Sequence, residues 1–170
     1  MKWIGALLVL AATTWVGFEL ARQLNNRPKQ IRQLKNALQI VEAEIVYSQS
    51  PLEEAFRIVS KQIPNPIASF FQAISLDLQQ QTADLPKIWE DQIARFFPTV
   101  ALGNYEKELM QQFGRTLGQH DITQQKKHIQ LAFTHLDRAL EEAQDNQQRY
   151  GRMVKSLGFL TGLFIVLLLL

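Results

Sequence analysis

The stretch SLGFLTGLFIVLLLL, residues 156 to 170, constrains the fold more than any other part of this chain. A soluble domain could bury it only in a large core, and the roughly 130 residues outside the two apolar ends offer none. The bilayer is the expected solvent. Leu157 to Leu170 spans roughly 21 Å as a helix, short of a hydrocarbon thickness of about 30 Å, so Met153 and Val154 extend it. Lys155 can lay its stem along lipid and carry its ammonium to the headgroups. The expected span runs from Met153 to the end, with the terminal carboxylate at the far leaflet.

The first residues repeat the pattern. From Trp3 to Phe18 there is no charge, Trp3 and Trp15 are candidate interfacial anchors, and Thr13 and Thr14 can bond back to helix carbonyls. A cleaved signal peptide is the rival reading. Val9 to Ala11 loosely fits a small-residue cleavage site, but cutting there leaves a very short apolar region and strands Trp15 to Phe18 downstream. The uncleaved anchor is the expectation. Basic residues then set orientation: Arg22, Arg27, Lys29, Arg32 and Lys35 follow the first span and Arg149, Arg152 and Lys155 precede the second, with no acid among either group. Both inner flanks therefore point to the cytoplasm, leaving the two termini outside, although such flanks also serve to grip anionic lipid.

Composition adds little. The net charge of +2 is concentrated in those flanks, so no nucleic-acid partner is implied. There is no cysteine, which excludes disulfides and thiolate metal sites.

Helical spacing governs the middle. Ile31, Leu34, Leu38, Val41 and Ile45 form one stripe, with Pro28 suited to the first turn of that helix. In YSQSPLEEAF, Ser50 is a candidate cap, Pro51 a first-turn residue and Glu53 the partner in a capping box. After Pro64 and Pro66, Ile67, Phe70, Phe71, Ile74 and Leu78 make a second face. A loop at QQQTADLP, with Asp84 a candidate cap, leads to Ile88, Trp89, Ile93, Phe96 and Phe97. Tyr105, Leu109, Phe113 and Leu117 follow, and Gly118 is placed to close that helix in a left-handed turn. Beyond Asp121, Ile129, Phe133, Leu136, Leu140 and Ala143 mark one long helix that runs toward the last span, interrupted at most near Gly151. No period-two pattern competes. The expected fold is all-α: a cytoplasmic bundle of about five to six helices, residues 22–152, between transmembrane helices at 1–21 and 153–170.

Chemistry-bearing groups are sparse. His120, Asp121, His128 and His135 lie close in sequence, but His128 and His135 stand roughly 10 Å apart along a helix, too far to share one metal unaided. Glu141 and Glu142 read as solvated charge, and neither a phosphate loop nor a serine elbow is present. No cofactor is expected. Gly158 and Gly162 form GxxxG, which lets another helix backbone approach, and Gly5, Ala12 and Gly17 give the first span similar patches. Pairing between the two spans, or with a second copy in a homo-oligomer, follows.

The phrases TTWVGFELA, RPKQIRQLKNALQ, EAEIVYSQSPLEEA, LGQHDITQQKKHI and KSLGFLTGLFIVLLLL, in this order, resemble the stage III sporulation protein AB family over nearly the whole chain. Leu117, Gly118, Asp121, Gln125 and Ile129 are similar to its LGxxDxxxQxxxI pattern. The region around PLEEA is similar in turn to the cytoplasmic domains of type II secretion F proteins. The resemblance implies a non-enzymatic platform subunit in the mother-cell membrane facing the forespore, within a secretion-like complex. Its implied partners are lipid, other stage III sporulation proteins and a secretion-type ATPase docked on the cytoplasmic side. Asp121 then either caps the long helix or touches a partner, and Gln125 either bonds between helices or recognises one. Ile40 and Val46, beside the main stripe, leave room for a partner surface. The alternative is a membrane-tethered enzyme using the histidine and acid cluster near Asp121.

Overall fold

A computed structural model describes residues 2–80, 83–117 and 122–169. Its side chains are described except at 2–10, 122, 123, 125, 152, 154, 155, 158, 159, 162, 163 and 166–169. The described residues form six α-helices: α1 Lys2–Val46, α2 Leu52–Gln62, α3 Ile67–Gln79, α4 Leu85–Phe96, α5 Asn104–Thr116 and α6 Ile122–Leu169, with a turn of 3-10 helix at Phe97–Thr99 after α4. There is no strand among the described residues. The helices form two compact units, one of Met1–Pro28 with Glu142–Leu170 and the other of Lys29–Glu141.

The unit Lys29–Glu141 is built on the apolar stripes. Ile31, Leu34, Leu38, Val41 and Ile45 of α1 are all buried, as are Ile129, Leu136 and Ala143 on α6, the last in the other unit. Alanines at 132 and 139 complete the inner face of α6 where Phe133 and Leu140 are only half-buried, because a small side chain lets the helix sit closer to its neighbours. At the centre stands Trp89 of α4. Its ring centroid lies 5.8 Å from Phe56 on α2, 5.3 Å from Phe70 and 6.3 Å from Phe71 on α3, and 5.8 Å from Phe113 on α5. The indole N–H donates to the Met110 carbonyl at 2.7 Å, so a buried donor is satisfied inside the core. Gly114 makes this possible: a Cβ there would fall 2.1 Å from Trp89 Cδ1.

Polar contacts fix how the helices meet. Ser75 Oγ on α3 donates to the Glu53 carbonyl on α2 at 3.0 Å, and Gln92 Nε2 on α4 donates to Asp77 on α3 at 2.7 Å. Gln30 on α1, itself buried, accepts from the Ala101 backbone N–H at 2.8 Å and so holds the α4–α5 connection against the first helix. Fully buried Glu106 reaches back to the Gly103 N–H at 2.6 Å and closes the start of α5. On α2, the Arg57 guanidinium hydrogen-bonds Glu54 and holds that exposed carboxyl below its ordinary value.

In the other unit, Arg27 meets Glu142 at 3.5 Å and Gln147 Nε2 donates to Asn25 at 3.0 Å, joining α1 to α6. Gly17, Ala21 and Pro28 are buried there, while Trp15, Phe18, Leu157, Leu160 and Phe164 are exposed. Among the described residues, no helix is long and apolar enough to cross a membrane. The side-chain surroundings at positions 3, 5, 154, 155, 158 and 162, and with them the expected pairing through Gly158 and Gly162, lie outside the described residues.

Several local expectations are corrected. Pro28 does not open a helix but lies inside α1. Its missing N–H costs about 3 kcal/mol in an isolated helix interior. Against that, Ala21 and Pro28 are buried in their unit with Leu24 half-buried between them, at steps of three and four, and the burial of that face favours an unbroken helix. α1 accordingly runs on from the first apolar segment without a break, whereas the continuity of α6 through Gly151 into the last segment is as the long-helix reading has it. Ser50 does not cap α2, nor does Glu53 complete a box; Pro51 holds the cap position without a side-chain bond. The reason is local. Gln49 takes a left-handed φ of 51°, which folds the chain back so that Ser50 bonds Glu44 through both its N–H at 3.0 Å and its hydroxyl at 2.8 Å. Asp84 occupies the cap of α4, yet its carboxylate makes no cap bond and the backbone carbonyl alone receives the Lys87 and Ile88 N–H groups. Tyr105, expected in a buried stripe, is 43% exposed.

Gly114→Ala is expected to destabilise the purified full chain by about 2–3 kcal/mol, because the indole must leave its place and its hydrogen bond. Gly151→Ala meets nothing within 4 Å, and the better helix former should leave stability equal or raise it by up to about 1 kcal/mol. Urea or thermal unfolding followed by circular dichroism compares the two.

Candidate functional site

The five positions of the LGxxDxxxQxxxI pattern divide in two. Leu117, just beyond α5, is 2% exposed and Ile129 of α6 is 1% exposed, so the apolar members anchor the α5–α6 corner in the core. Gly118 and Asp121 lie outside the described residues, as do His120 and the side chain of Gln125; the expected left-handed closure and helix cap fall there. The Leu117 N–H returns to the Gly114 carbonyl at 3.3 Å, linking this corner directly to the residue that makes room for Trp89.

Past the corner, α6 is tied to its neighbours by polar contacts on its flank. The Tyr105 hydroxyl on α5 and His135 Nδ1 are 2.8 Å apart, with the rings edge to face. Lys35 on α1 pairs with Asp137 at 2.6 Å, the two side chains being 27% and 49% exposed. Lys126 Nζ lies 6.0 Å from the centre of the Tyr47 ring, at the outer reach of a cation–π contact. His128 is half-buried one turn beyond the pattern's Gln125. Among the described residues, no three His, Cys, Asp or Glu side chains converge as a metal would require. His135 is engaged by Tyr105, and the arrangement of the described groups is that of a packing corner with a polar rim.

None of these cross-helix partners is evident from local spacing. Tyr105 shares its helical register with Leu109 and Phe113, which conceals its outward position, and Gly114 gives no sign of its role because nothing in the sequence says which helix lies opposite. The remaining signal is length: α5 and α6 share a short connection, which makes them antiparallel neighbours.

Comparison with known proteins then settles the family. The family model described as stage III sporulation protein AB matches residues 2–170. The chain belongs to this family. It is 43% identical over 170 residues to stage III sporulation protein AB of Bacillus subtilis (strain 168), covering 100% of this chain and 99% of that protein. A solved structure of a stage III sporulation protein AB, SpoIIIAB, is similar with a TM-score of 0.69 at 40% identity, covering 73% of this chain and 98% of the solved one. The all-helical fold and the sporulation family are thus established together. The family name carries no reaction.

Two side-chain contacts of this corner give contrasting expectations. Tyr105→Phe should lower stability by about 0.5–1.5 kcal/mol, the usual worth of one net hydrogen bond. For Lys35 and Asp137, a double-mutant cycle to alanine should return a coupling below about 1 kcal/mol that shrinks further in high salt, since both groups are partly solvated.

Proposed function

We propose that this chain is a two-pass membrane platform subunit of a sporulation-specific, secretion-like complex joining mother cell and forespore. In this reading residues 1–21 and 153–170 lie in the mother-cell membrane, residues 22–152 face the cytoplasm, and a secretion-type ATPase docks on that domain. Other stage III sporulation proteins and lipid complete its surroundings.

The observation that carries the reading is the match to the stage III sporulation protein AB family along residues 2–170, both apolar ends included. Three features support it. The two ends belong to long helices, α1 of 45 residues and α6 of 48, that lie side by side in one unit through Arg27 with Glu142 and Asn25 with Gln147. Large apolar side chains of those ends face outward, Trp15 at 77% and Phe164 at 65%, which suits lipid far better than water. The acid-free basic flanks after α1's apolar part and before α6's favour a cytoplasmic middle. Platform action needs no reactive set: a subunit of this kind binds a partner on one side and membrane-embedded proteins on the other.

The absence of cysteine makes the topology directly measurable. Single cysteines at Lys2, at Gln80 and appended after Leu170 are to be treated with an impermeant thiol reagent on intact cells. Labelling of the two ends and protection of Gln80→Cys is the expected pattern; a labelled position 80, or recovery of the chain in the aqueous fraction without detergent, contradicts it. Binding of the secretion-type ATPase to the detergent-purified full chain tests the partner separately.

A further inference from the structure

A cavity of about 430 Å³ opens between α1 and α6 in the unit of Met1–Pro28 with Glu142–Leu170. On α1 it is lined by Ala12, Thr13, Val16, Gly17 and Leu20, and on α6 by Leu157 and Thr161. Gly17 is buried at its floor, whereas Val16, Leu20, Leu157 and Thr161 are exposed and form its rim. No lining side chain is charged. The groove exists because Gly17 carries no side chain and Ala12 and Thr13 carry short ones, so α1 cannot fill the space beside α6.

Size separates the candidate occupants. A dry cavity of about 150 Å³ admits benzene, so about 430 Å³ holds roughly seventeen carbons at the same density, which is one acyl chain. The α1 wall, Ala12 to Leu20, runs roughly 12 Å along the helix. A further helix, about 10 Å across, would displace roughly 900 Å³ over that length, about twice what the groove contains. Polar groups then stand at one end of the groove and continue the same helix faces. Gln23 follows Val16 and Leu20 at steps of four and three, and Tyr150 precedes Leu157 by seven. The contacts of Asn25 with Gln147 and Arg27 with Glu142 set the antiparallel register, which brings Gln23 and Tyr150 to nearly the same height. Both are exposed. An amide and a phenol there can donate to the phosphate or ester oxygens of a lipid whose chain lies in the groove, and tyrosine favours such an interface.

We propose that this groove is a binding site for a phospholipid, with one acyl chain lying along Gly17 and the headgroup met by Gln23 and Tyr150. The inference rests on the reading of residues 1–21 and 153–170 as membrane segments and deepens it. Lipid becomes a resident component of the paired helices and not only their solvent.

The test purifies the full chain in dodecyl maltoside, washes it extensively and counts retained phospholipid by native mass spectrometry. About one phospholipid per chain is expected. Val16→Phe combined with Thr161→Phe places two rings in the groove and should lower retention tenfold or more. Leu160→Phe, an exposed residue outside the lining, should retain lipid as the parent does. Gln23→Leu combined with Tyr150→Phe removes the headgroup donors and should lower retention several-fold. Circular dichroism separates a filled groove from a lost fold. If the first pair unfolds, a phosphatidylcholine bearing a diazirine in one acyl chain decides. Crosslinks concentrated at Val16, Leu20 or Leu157 support the site, whereas crosslinks spread evenly over Trp15, Phe18 and Phe164 overturn it. A lipid-free parent, or parent-like retention by either folded double variant, overturns the lipid site and leaves the membrane reading standing. A lipid-free dimer that the ring-bearing pair dissociates assigns the groove to a second copy and also overturns the proposal. A chain that stays in aqueous fractions without detergent overturns both.

Discussion

The bundle depends on how one indole is accommodated. Trp89 reaches α2, α3 and α5 from α4, and each neighbour concedes something particular: rings from Phe56, Phe70, Phe71 and Phe113, a carbonyl from Met110, and an empty Cα from Gly114. The hydrogen bond adds only about 1 kcal/mol, but an unmet indole N–H at 1% exposure would cost more than that. Geometry and energy therefore agree on a single placement. Since Leu117 bonds back to Gly114, the α5–α6 corner inherits that placement.

Much of the fold was legible as periodicity. Stripes such as Ile31, Leu34, Leu38, Val41 and Ile45 report a buried helix face without reference to any neighbour, because solvent exposure alone imposes them. What failed were signals with more than one outlet. Ser50 is a good cap in isolation, yet its hydroxyl serves Glu44 once Gln49 turns the chain. Pro28 ends most helices, but not one whose inward face continues through it. Tyr105 keeps the register of a core residue yet stands 43% exposed, with its hydroxyl bonded to His135. In each case a long-range or backbone choice outweighed a local preference of about 1–3 kcal/mol.

The site was legible in a different sense. Leu117 and Ile129 stand out through a shared pattern, and their burial explains why apolar residues stand there, as supports for a corner. The outward position of Leu131 was not legible: in sequence it looks like one more apolar residue of a long helix, yet it is 47% exposed.

The chain also carries its own reporter. Of its three tryptophans, Trp3 and Trp15 belong to the apolar first segment, whereas Trp89 sits in the bundle core. With the first two replaced by phenylalanine, ultraviolet emission would come from one enclosed fluorophore. A red shift would then register loosening of α2 to α5 without contribution from the apolar ends, so assembly and unfolding of the bundle become observable in lipid or detergent without an added dye.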